Sequence, residues 1–533
     1  MTSIEFLGHS GLAIRHGAQL LLCDPWMSKK GAYNASWFPY PHYPHDDLSA
    51  LHSPAAVYLS HEHLDHYDPE FMEAIDRGVP IITGRTFKKR FLSKLRKSGF
   101  TNIIELDNFE SYEIAPGLII KVDTPTFHCP PHWFDSCALI EADGYKIFNL
   151  NDCNLALPVA DIRAMGIDVM LAQASPAIWY PLVYTTYDEP KKRELRAARR
   201  ESAIQSFLTS AKAIQPRLAI PFAGPPIFFD PALAEHFVGP DSMFPTAPVS
   251  EKLLRHEHSS IATLTLKPGD VLEIRERGAA DEFTVRPTPA YIDFDYERDR
   301  VAYYEKHRAE KERIVADVLA AIPDPAPGLF ERFRRHFLPF LKGHPYFVEN
   351  IDIRLRFRVD GPEGGDWIVD FRTQPKPELV YEYDGEHCHY TFDMSSKLIG
   401  QVLSDEMSWE DAFLSLRFQA HRDPDRYNQH LFTLFKMSDS RALQAIQKAE
   451  TADRSNETFR LAAEGCVYEV QRYCPHGGSD LSEADVENGH VICPGHHWRF
   501  SLKDGSCANA EGRILVRKLS EDEAREAVAA AKV

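Results

Sequence analysis

The chain has 533 residues, of which 44% are hydrophobic and 26% carry a charge. A chain of this length and composition is too long for one core and favours about three globular domains. Its formal net charge of −18 argues against a general binder of nucleic acid or of anionic membranes.

The N-terminal sequence and the cysteines indicate the compartment. No basic segment followed by an apolar one opens the chain, so we expect no signal peptide. The apolar stretches are no longer than strands, so no membrane-spanning helix is expected. The nine cysteines are an odd, widely spaced set, which does not suit a secreted disulfide framework. We therefore expect a cytoplasmic protein with a metal-binding use for one cysteine pair.

The first part of the chain, residues 1–295, alternates between strand and helix patterns. Strands are predicted at 4–8, 12–15, 20–23, 56–60, 118–122, 138–141, 146–150 and 218–222, and a helix over 191–213. This alternation favours two sheets packed between layers of helices. We therefore predict an αββα sandwich for this part of the chain.

Three further units follow along the chain. Residues 296–348 are a helical connector that opens with a charged surface helix over 296–322 and is interrupted by a proline-rich stretch. Residues 349–440 form an α+β domain, in which strands 352–359 and 387–392 alternate with period two and are predicted as antiparallel. Its strand-then-helix order resembles sterol-carrier domains. Residues 455–533 are short strands and glycine-rich turns, typical of a small all-β domain.

Two short loops in this last domain carry a cysteine and a histidine each. Cys474 and His476 stand two positions apart, and Cys493 and His496 three, with 16 residues between the loops. Two thiolates for one iron and two imidazoles for the other are the ligands of a Rieske [2Fe–2S] cluster. A zinc knuckle also uses cysteine and histidine. The glycines and prolines beside these ligands, and the His-Trp-Arg-Phe run from residue 497, favour the Rieske cluster.

A second metal-binding pattern follows the strand at 56–60. His61, His63, Asp65 and His66 alternate in a turn that directs four ligands into one pocket, as in metallo-β-lactamase-type folds. The chain has 24 histidines, so two of them can stand close together in the sequence by chance. The full order of strand, His-x-His-x-Asp-His turn and later ligands is much less expected by chance. We take Asp65, His66 and Asp152 as the catalytic residues.

The later ligands of this pattern come from loops after the following strands. Asp152 follows a strand where a bridging carboxylate is expected, and His128 is the predicted third imidazole, with His132 as the alternative. A last histidine usually follows a late strand in this superfamily, but residues 221–224 here read Pro-Phe-Ala-Gly. The second metal would then keep only Asp65, His66 and Asp152. The gap indicates either open positions for oxygen chemistry or a single bound ion.

Several segments together resemble the CMP-N-acetylneuraminate hydroxylase family. They are Gly8-His9-Ser10, Asp24-Pro25-Trp26, residues 60–66, Asp135-Ser136-Cys137, residues 146–153, 215–224 and 422–432. The Pro-Phe-Ala-Gly segment is the most discriminating, because it replaces the superfamily histidine in the same way. The Rieske domain comes first in that family and last here, and residues 230–350 match poorly. The resemblance therefore implies the chemistry more firmly than the substrate.

The resemblance implies a Rieske-fed non-haem iron monooxygenase. Its substrate would be a small polar metabolite, either a nucleotide sugar or an amino-acid-like molecule. It would use O₂, one or two irons (zinc is the alternative), and an external ferredoxin or cytochrome with its reductase. Neither nucleic acid nor membrane is an expected partner, and a homo-oligomer stays open. The competing hypotheses are a metal-dependent, lactonase-like hydrolase with a redox-sensing Rieske domain, and an O₂-reducing protein without an organic substrate.

Overall fold

The N-terminal part folds into two large sheets. The computed structural model describes residues 2–86, 89–107, 109–123, 135–153, 159–451, 457–463, 465–475, 480–482, 484–493, 498–508, 513–520 and 523. An eight-stranded sheet has the order β17-β16-β1-β2-β3-β5-β6-β7, and a seven-stranded sheet the order β15-β13-β12-β11-β10-β9-β8. A pair of short strands, β4 and β14, stands apart from them.

The strands and helices of this part of the chain have the following bounds. The strands are β1 (Thr2–Gly8), β2 (Gly11–His16), β3 (Gln19–Cys23), β4 (Phe38–Pro39), β5 (Ala56–Tyr58), β6 (Ile81–Gly84), β7 (Ile103–Leu106), β8 (Ser111–Ala115), β9 (Leu118–Asp123), β10 (Cys137–Ala142), β11 (Tyr145–Asn149), β12 (Val169–Gln173), β13 (Leu218–Phe222), β14 (Pro226–Ile227), β15 (Ala262–Thr263), β16 (Val271–Ile274) and β17 (Phe283–Arg286). The helices are α1 (Pro69–Met72), α2 (Arg90–Lys97), α3 (Val159–Ala164), α4 (Glu189–Ile214), α5 (Glu235–Val238) and α6 (Ala247–Glu257).

Alternating side chains of the strands build three apolar layers. Ile4 and Ile14 from the first sheet meet Ile120 and Ile140 from the second in the layer between the sheets. Apolar residues of α4 and α6 cover the outer face of the seven-stranded sheet, and those of α1 and α2 cover the eight-stranded one. The predicted αββα sandwich is therefore confirmed.

The middle part of the chain contains three helices followed by a mixed sheet. Its elements are α7 (Arg300–Ala321), α8 (Leu329–Gly343), α9 (Pro345–Ile351), β18 (Arg354–Asp360), β19 (Gly365–Asp370), β20 (Val380–Glu382), β21 (Tyr390–Ser395), α10 (Ser396–Leu403), α11 (Trp409–Leu414), β22 (Phe418–Arg422), α12 (Gln429–Lys436) and α13 (Ser440–Glu450). The sheet order is β20-β19-β18-β21-β22.

One prediction for this sheet is wrong in part. Each of the two predicted strands has an antiparallel neighbour, β19 for β18 and β22 for β21. The two strands themselves pair in parallel, with Leu355 opposite Tyr390 and Val359 opposite Met394. Alternation of apolar residues tells which face of a strand is buried, but not the direction of its neighbour.

A single aromatic core joins the first and middle parts of the chain. Trp37 and Trp179 of the first part belong to the same buried cluster as Trp409 and Phe413 of the middle part. The ring centroids of Trp179 and Phe413 lie 5.2 Å apart. Across the same boundary, the Ser36 hydroxyl donates to the carbonyl oxygen of residue 415 at 2.6 Å. The two parts are therefore packed as one body.

This shared core predicts a large stability effect at its centre. Phe413 is 0% exposed and also packs on Phe392 and Phe418. We expect Phe413→Ala to lower the free energy of unfolding by roughly 3–5 kcal/mol, because it leaves a cavity in a dense core. Urea denaturation measures the change. The control Val301→Ala, on the exposed face of α7, should stay within about 0.5 kcal/mol; equal effects for both variants would contradict the shared core.

The last part of the chain consists of short strands. They are β23 (Thr458–Ala463), β24 (Cys466–Gln471), β25 (Asp485–Glu487), β26 (His490–Ile492), β27 (Arg499–Ser501) and β28 (Val516–Lys518). They form two three-stranded sheets, β23-β24-β28 and β25-β26-β27, as predicted for a small all-β domain. The sequence also predicts a short helix in the glutamate- and alanine-rich tail, 520–533, but this segment lies almost wholly outside the described residues. Within the described part of the chain, no helix is long and apolar enough to cross a bilayer.

Candidate metal centre

The candidate ligands lie where strands of both sheets end. His9 follows β1, Asp24 follows β3, the His61 turn follows β5, and Asp152 follows β11. Ala223, at the end of β13, donates its amide to the carbonyl oxygen of His9 at 2.9 Å. The carboxyl ends of strands in α/β sheets form a common crevice for ligands. The fold therefore brings these distant segments to one place.

The His61 turn is held by its own backbone and by the helix after it. The amides of His66 and Tyr67 both donate to the carbonyl oxygen of His63, at 3.0 and 2.7 Å. Asp68 then caps α1 by accepting from two amides of its first turn. These bonds fix the turn independently of any ligand. The backbone positions of the three histidines in the turn are consequently defined.

One nitrogen of each of these histidines faces the centre. His61 Nε2 and His63 Nδ1 lie 2.8 Å apart. His66 Nε2 lies 3.4 Å from Asp152 Oδ2. Ligand atoms bound to one ion at about 2.1 Å are about 3 Å apart, so these spacings suit a metal. The donor atoms of His61, His66 and Asp152 all lie within 4.8 Å of one another.

The opposite nitrogen of each histidine has a polar partner outside the centre. His61 Nδ1 lies 2.9 Å from the Ser60 hydroxyl, and His66 Nδ1 lies 3.0 Å from Asp24 Oδ2. Ser60 in turn donates both its amide and its hydroxyl to Asp24, at 2.8 and 2.7 Å. Such outer partners set the tautomer and orientation of metal-binding imidazoles. The arrangement therefore fits three histidines poised to bind a metal.

His63 is oriented by a residue of the middle part of the chain. Its Nε2 lies 3.2 Å from Glu410 Oε2, and Glu410 Oε1 accepts from Lys436 Nζ at 2.6 Å. Glu410 is 2% exposed and lies in the first turn of α11, where the helix dipole favours a carboxylate. Burial lowers the pKa of His63, but Glu410 beside it raises that pKa overall. The middle part thus takes part in the centre.

Asp65 is held from two sides. Its Oδ2 lies 3.0 Å from His9 Nε2, and its Oδ1 accepts from the Tyr33 hydroxyl at 2.5 Å. Burial would raise the pKa of this carboxyl, but His66 and His9 hold it below its usual value. Burial raises the pKa of the Tyr33 hydroxyl most, and the negative charge of Asp65 raises it further. Tyr33 therefore keeps its proton and donates it in the hydrogen bond. Asp65 is therefore an ionised carboxylate with one oxygen fixed by Tyr33.

The donor set satisfies an independent test for a cation. Asp152 Oδ1 is buried and makes no hydrogen bond with any residue that the structure describes. A buried carboxylate oxygen without a partner is costly unless a cation or water compensates it. Imidazole nitrogens together with carboxylate oxygens suit iron or zinc. The residues present therefore fit a bound metal ion, of which they would be the ligands.

The structure describes five of the six predicted ligands of this centre. His61, His63, Asp65, His66 and Asp152 come together as expected, although their roles as ligands stay a prediction. The third predicted imidazole, His128, and its alternative His132 lie outside the described residues.

Four residues around the centre were missed as participants: His9, Asp24, Tyr33 and Glu410. A histidine directly after a glycine at the end of a strand, in the run Gly8-His9-Ser10-Gly11, was a usable signal for His9. The sequence around Glu410 gave no such signal, because the Ser408–Asp411 capping box indicates only the start of a helix.

Glu410 offers a test of how the outer partners act. We expect Glu410→Gln to weaken metal binding by roughly 10–100-fold, because His63 loses the negative charge that raises its basicity. Chelator competition on the metal-free protein measures the affinity. Glu406→Gln is the matched control, since Glu406 is exposed and accepts only a local bond from Ser404. An unchanged affinity in Glu410→Gln would show that the carboxylate plays no part.

The second predicted site lies in the last domain. Cys474 and Cys493 are 2% and 1% exposed and belong to the small core of this domain, with Val491 and Phe500. The amide of Cys493 donates to the carbonyl oxygen of Trp498 at 2.8 Å, which closes the second loop. His476 and His496 lie outside the described residues.

Three family models match successive parts of the chain. Residues 3–188 match the Beta-lactamase superfamily domain, 329–451 the Rv3818-like, SCP2-like domain, and 434–518 the Rieske [2Fe-2S] domain. The Rieske match means that the last domain carries a [2Fe–2S] cluster.

Two similar proteins match most of the length of the chain. A protein of Mycolicibacterium smegmatis named as a Rieske 2Fe-2S iron-sulfur protein is 29% identical, covering 96% of this chain and 99% of its own. The cytidine monophosphate-N-acetylneuraminic acid hydroxylase of Asterias rubens is 22% identical over 80% of this chain and 63% of its own.

Among solved structures, CmlA, a diiron beta-hydroxylase from Streptomyces venezuelae, overlaps 54% of each chain at 16% identity with a TM-score of 0.35. The sequence matches confirm the resemblance inferred from the motifs. This chain therefore combines a metallo-β-lactamase-type domain with a C-terminal Rieske [2Fe–2S] domain, and it is similar over 80% of its length to a CMP-N-acetylneuraminic acid hydroxylase.

Proposed function

We propose that this chain is a Rieske-fed non-haem iron monooxygenase. It would insert one oxygen atom into a small polar metabolite, of the nucleotide-sugar or amino-acid kind. The observation that carries the proposal is the presence of an electron-transfer domain on the same chain as a buried cage of imidazoles and carboxylates. Hydrolysis needs no electrons, whereas each monooxygenation consumes two, together with O₂ and two protons, and releases one water. The hydroxylase relatives support the same chemistry.

The residues of the chain have distinct roles in this proposal. Cys474, His476, Cys493 and His496 would hold the cluster, and His61, His63, Asp65, His66, His128 and Asp152 would hold the iron. When bound, these groups supply single electrons and O₂ chemistry respectively. The protein orients the ligands through Glu410, Asp24 and Tyr33. It also excludes bulk water, since the histidines at 61 and 66 are buried.

Electrons would enter from an external ferredoxin or cytochrome with its reductase. They would pass from the cluster to the iron of the same chain or of a neighbouring subunit. One described ion pair, Lys212 Nζ to Asp485 Oδ2 at 3.5 Å, joins the Rieske domain to the last turn of α4. That turn leads into β13 from the end opposite the metal centre. This placement favours a neighbouring subunit, or a movement of the domain, as the electron route.

Metal analysis with electron paramagnetic resonance tests the proposal. The protein is purified without added metal and reduced with dithionite. We expect a Rieske signal, together with iron beyond the two atoms of the cluster. Zinc in place of the additional iron would favour the hydrolase, and no Rieske signal would overturn the proposal. Exposing the reduced protein to ¹⁸O₂ with a cell-derived metabolite pool should then label one small molecule, which identifies the substrate.

A further inference from the structure

We infer that His9 is a metal ligand and completes a second ion site beside the first. The donor atoms of His9, Asp65 and His66 lie within 4.8 Å of one another, as do those of His61, His66 and Asp152. His66 is common to both groups, but its Nε2 can bind only one ion, because its Nδ1 faces Asp24. His66 would therefore serve the second ion with His9 and Asp65, while His61 would serve the first and Asp152 lies within reach of both. The inference rests on the proposed metal centre, but not on the reaction carried out there.

The surroundings of His9 suit the binding of a metal ion by its imidazole. The residue is 5% exposed, and neither ring nitrogen makes a hydrogen bond within the described part of the chain. Its Nε2 lies 3.0 Å from Asp65 Oδ2 without the alignment of a hydrogen bond, a spacing that suits two ligands of one ion. Asp65 already interacts with Nε2, and a metal between the two would bind both the imidazole and the carboxylate, which compensates the burial of both groups.

The backbone holds His9 in this position. Its φ of 51° is in the left-handed region, which is uncommon for residues other than glycine. The turn between β1 and β2, and the bond from the amide of Ala223, maintain that conformation. The ring also meets Trp26 edge-on, with centroids 5.2 Å apart. A strained backbone maintained on several sides is typical of functional positions.

His9 also accounts for the missing side chain at the end of β13. The segment after that strand, Ala223-Gly224, offers no side-chain donor to the centre. A side chain at Gly224 would meet Ser175 Cβ at 2.8 Å, so this position is closed to larger residues. The hydrogen bond from Ala223 places His9 directly beside this segment. The second ion would thus be held by His9, Asp65 and His66. Tyr33 fixes Asp65 by donating a hydrogen bond to its other carboxylate oxygen.

Iron stoichiometry in His9→Asn tests the inference. Asparagine tolerates the left-handed backbone, so the turn is kept while the imidazole is removed. The metal-free full-length protein with its cluster intact is titrated anaerobically with ferrous ion, and bound iron and Mössbauer spectra are recorded. We expect two added ions in the wild-type protein and one in His9→Asn. The control His45→Asn, at an exposed histidine, should bind two.

The outcomes separate this inference from the proposed function. Two ions in His9→Asn, at wild-type affinity, would overturn the role of His9. A single ion in the wild-type protein would overturn the second site but leave a mononuclear monooxygenase standing. No bound iron in the wild-type protein would overturn both proposals. Circular dichroism and thermal melting of His9→Asn establish that any loss of iron is not a loss of fold.

Discussion

Cys474→Ser is expected to lose the [2Fe–2S] cluster and all turnover. Cys474 is 2% exposed, and a serine hydroxyl at this buried position is a much weaker iron ligand than a thiolate, because it gives up its proton far less readily. The metal centre at the His61 turn lies in another domain and should keep its iron. Visible absorption and electron paramagnetic resonance report the cluster, elemental analysis reports the remaining iron, and ¹⁸O incorporation reports turnover.

Cys507→Ser is the matched control for this variant. Cys507 is half-buried in the same domain and pairs with Phe500 in an isolated bridge, outside both ligand loops. It should keep the cluster and turnover. Substrate binding should be nearly unchanged in both variants, because the substrate is expected at the other centre. Turnover that persists in a cluster-free Cys474→Ser protein would show that the electrons take another route.

Asp152→Asn should have the converse effect. The amide keeps the size of the carboxylate but removes the charge beside His66 Nε2, 3.4 Å away. We expect the iron of the N-terminal centre to be lost and turnover to fall to background, while the Rieske signal stays at full intensity. Asp143→Asn is the control, since Asp143 lies in the turn between β10 and β11 and bonds Thr2 at 2.9 Å. Full turnover in Asp152→Asn would contradict the assignment of this centre.

The two variants together also test the electron route. Cys474→Ser lacks the cluster, and Asp152→Asn lacks the catalytic iron, so neither should turn over alone. If electrons cross between subunits, co-expression of both chains should restore part of the activity. Electron transfer within each chain would leave the mixture inactive. The contact of the Rieske domain with the far end of α4 is compatible with crossing between subunits and with movement of the domain within one chain, and the mixture separates the two.

The sequence predicts local features of this protein well. The bounds of β13 coincide with the predicted 218–222, and the seven other predicted strands differ from the observed ones by one or two residues at an end. No prediction was made for the other seven described strands of the two sheets: β6, β7, β8, β12, β15, β16 and β17. Period-two alternation and the turn residues determine these elements locally. The five described residues of the predicted centre meet because β5 and β11, which belong to the two different sheets, end at the same side of the sandwich. The order of motifs along the chain already implied this.

Contacts between distant segments were not predictable in the same way. Glu410 reaches His63 across 347 positions, and its own neighbourhood indicates only a capped helix. The partnership of His9 with Asp65 depends on how the β1–β2 turn meets the end of β13, which is a property of the assembled sheets. The parallel pairing of β18 and β21 similarly depends on the crossover between them rather than on their alternating pattern.

The aromatic core that joins the first and middle parts has a consequence for dissecting the protein. A fragment ending near residue 295 would present Trp37 and Trp179 to water as part of a broad apolar surface. Surfaces of this kind promote aggregation. The same cut would remove Glu410 from His63. The metallo-β-lactamase-type domain of this chain is therefore not an autonomous module, and its chemistry has to be studied with the middle domain attached.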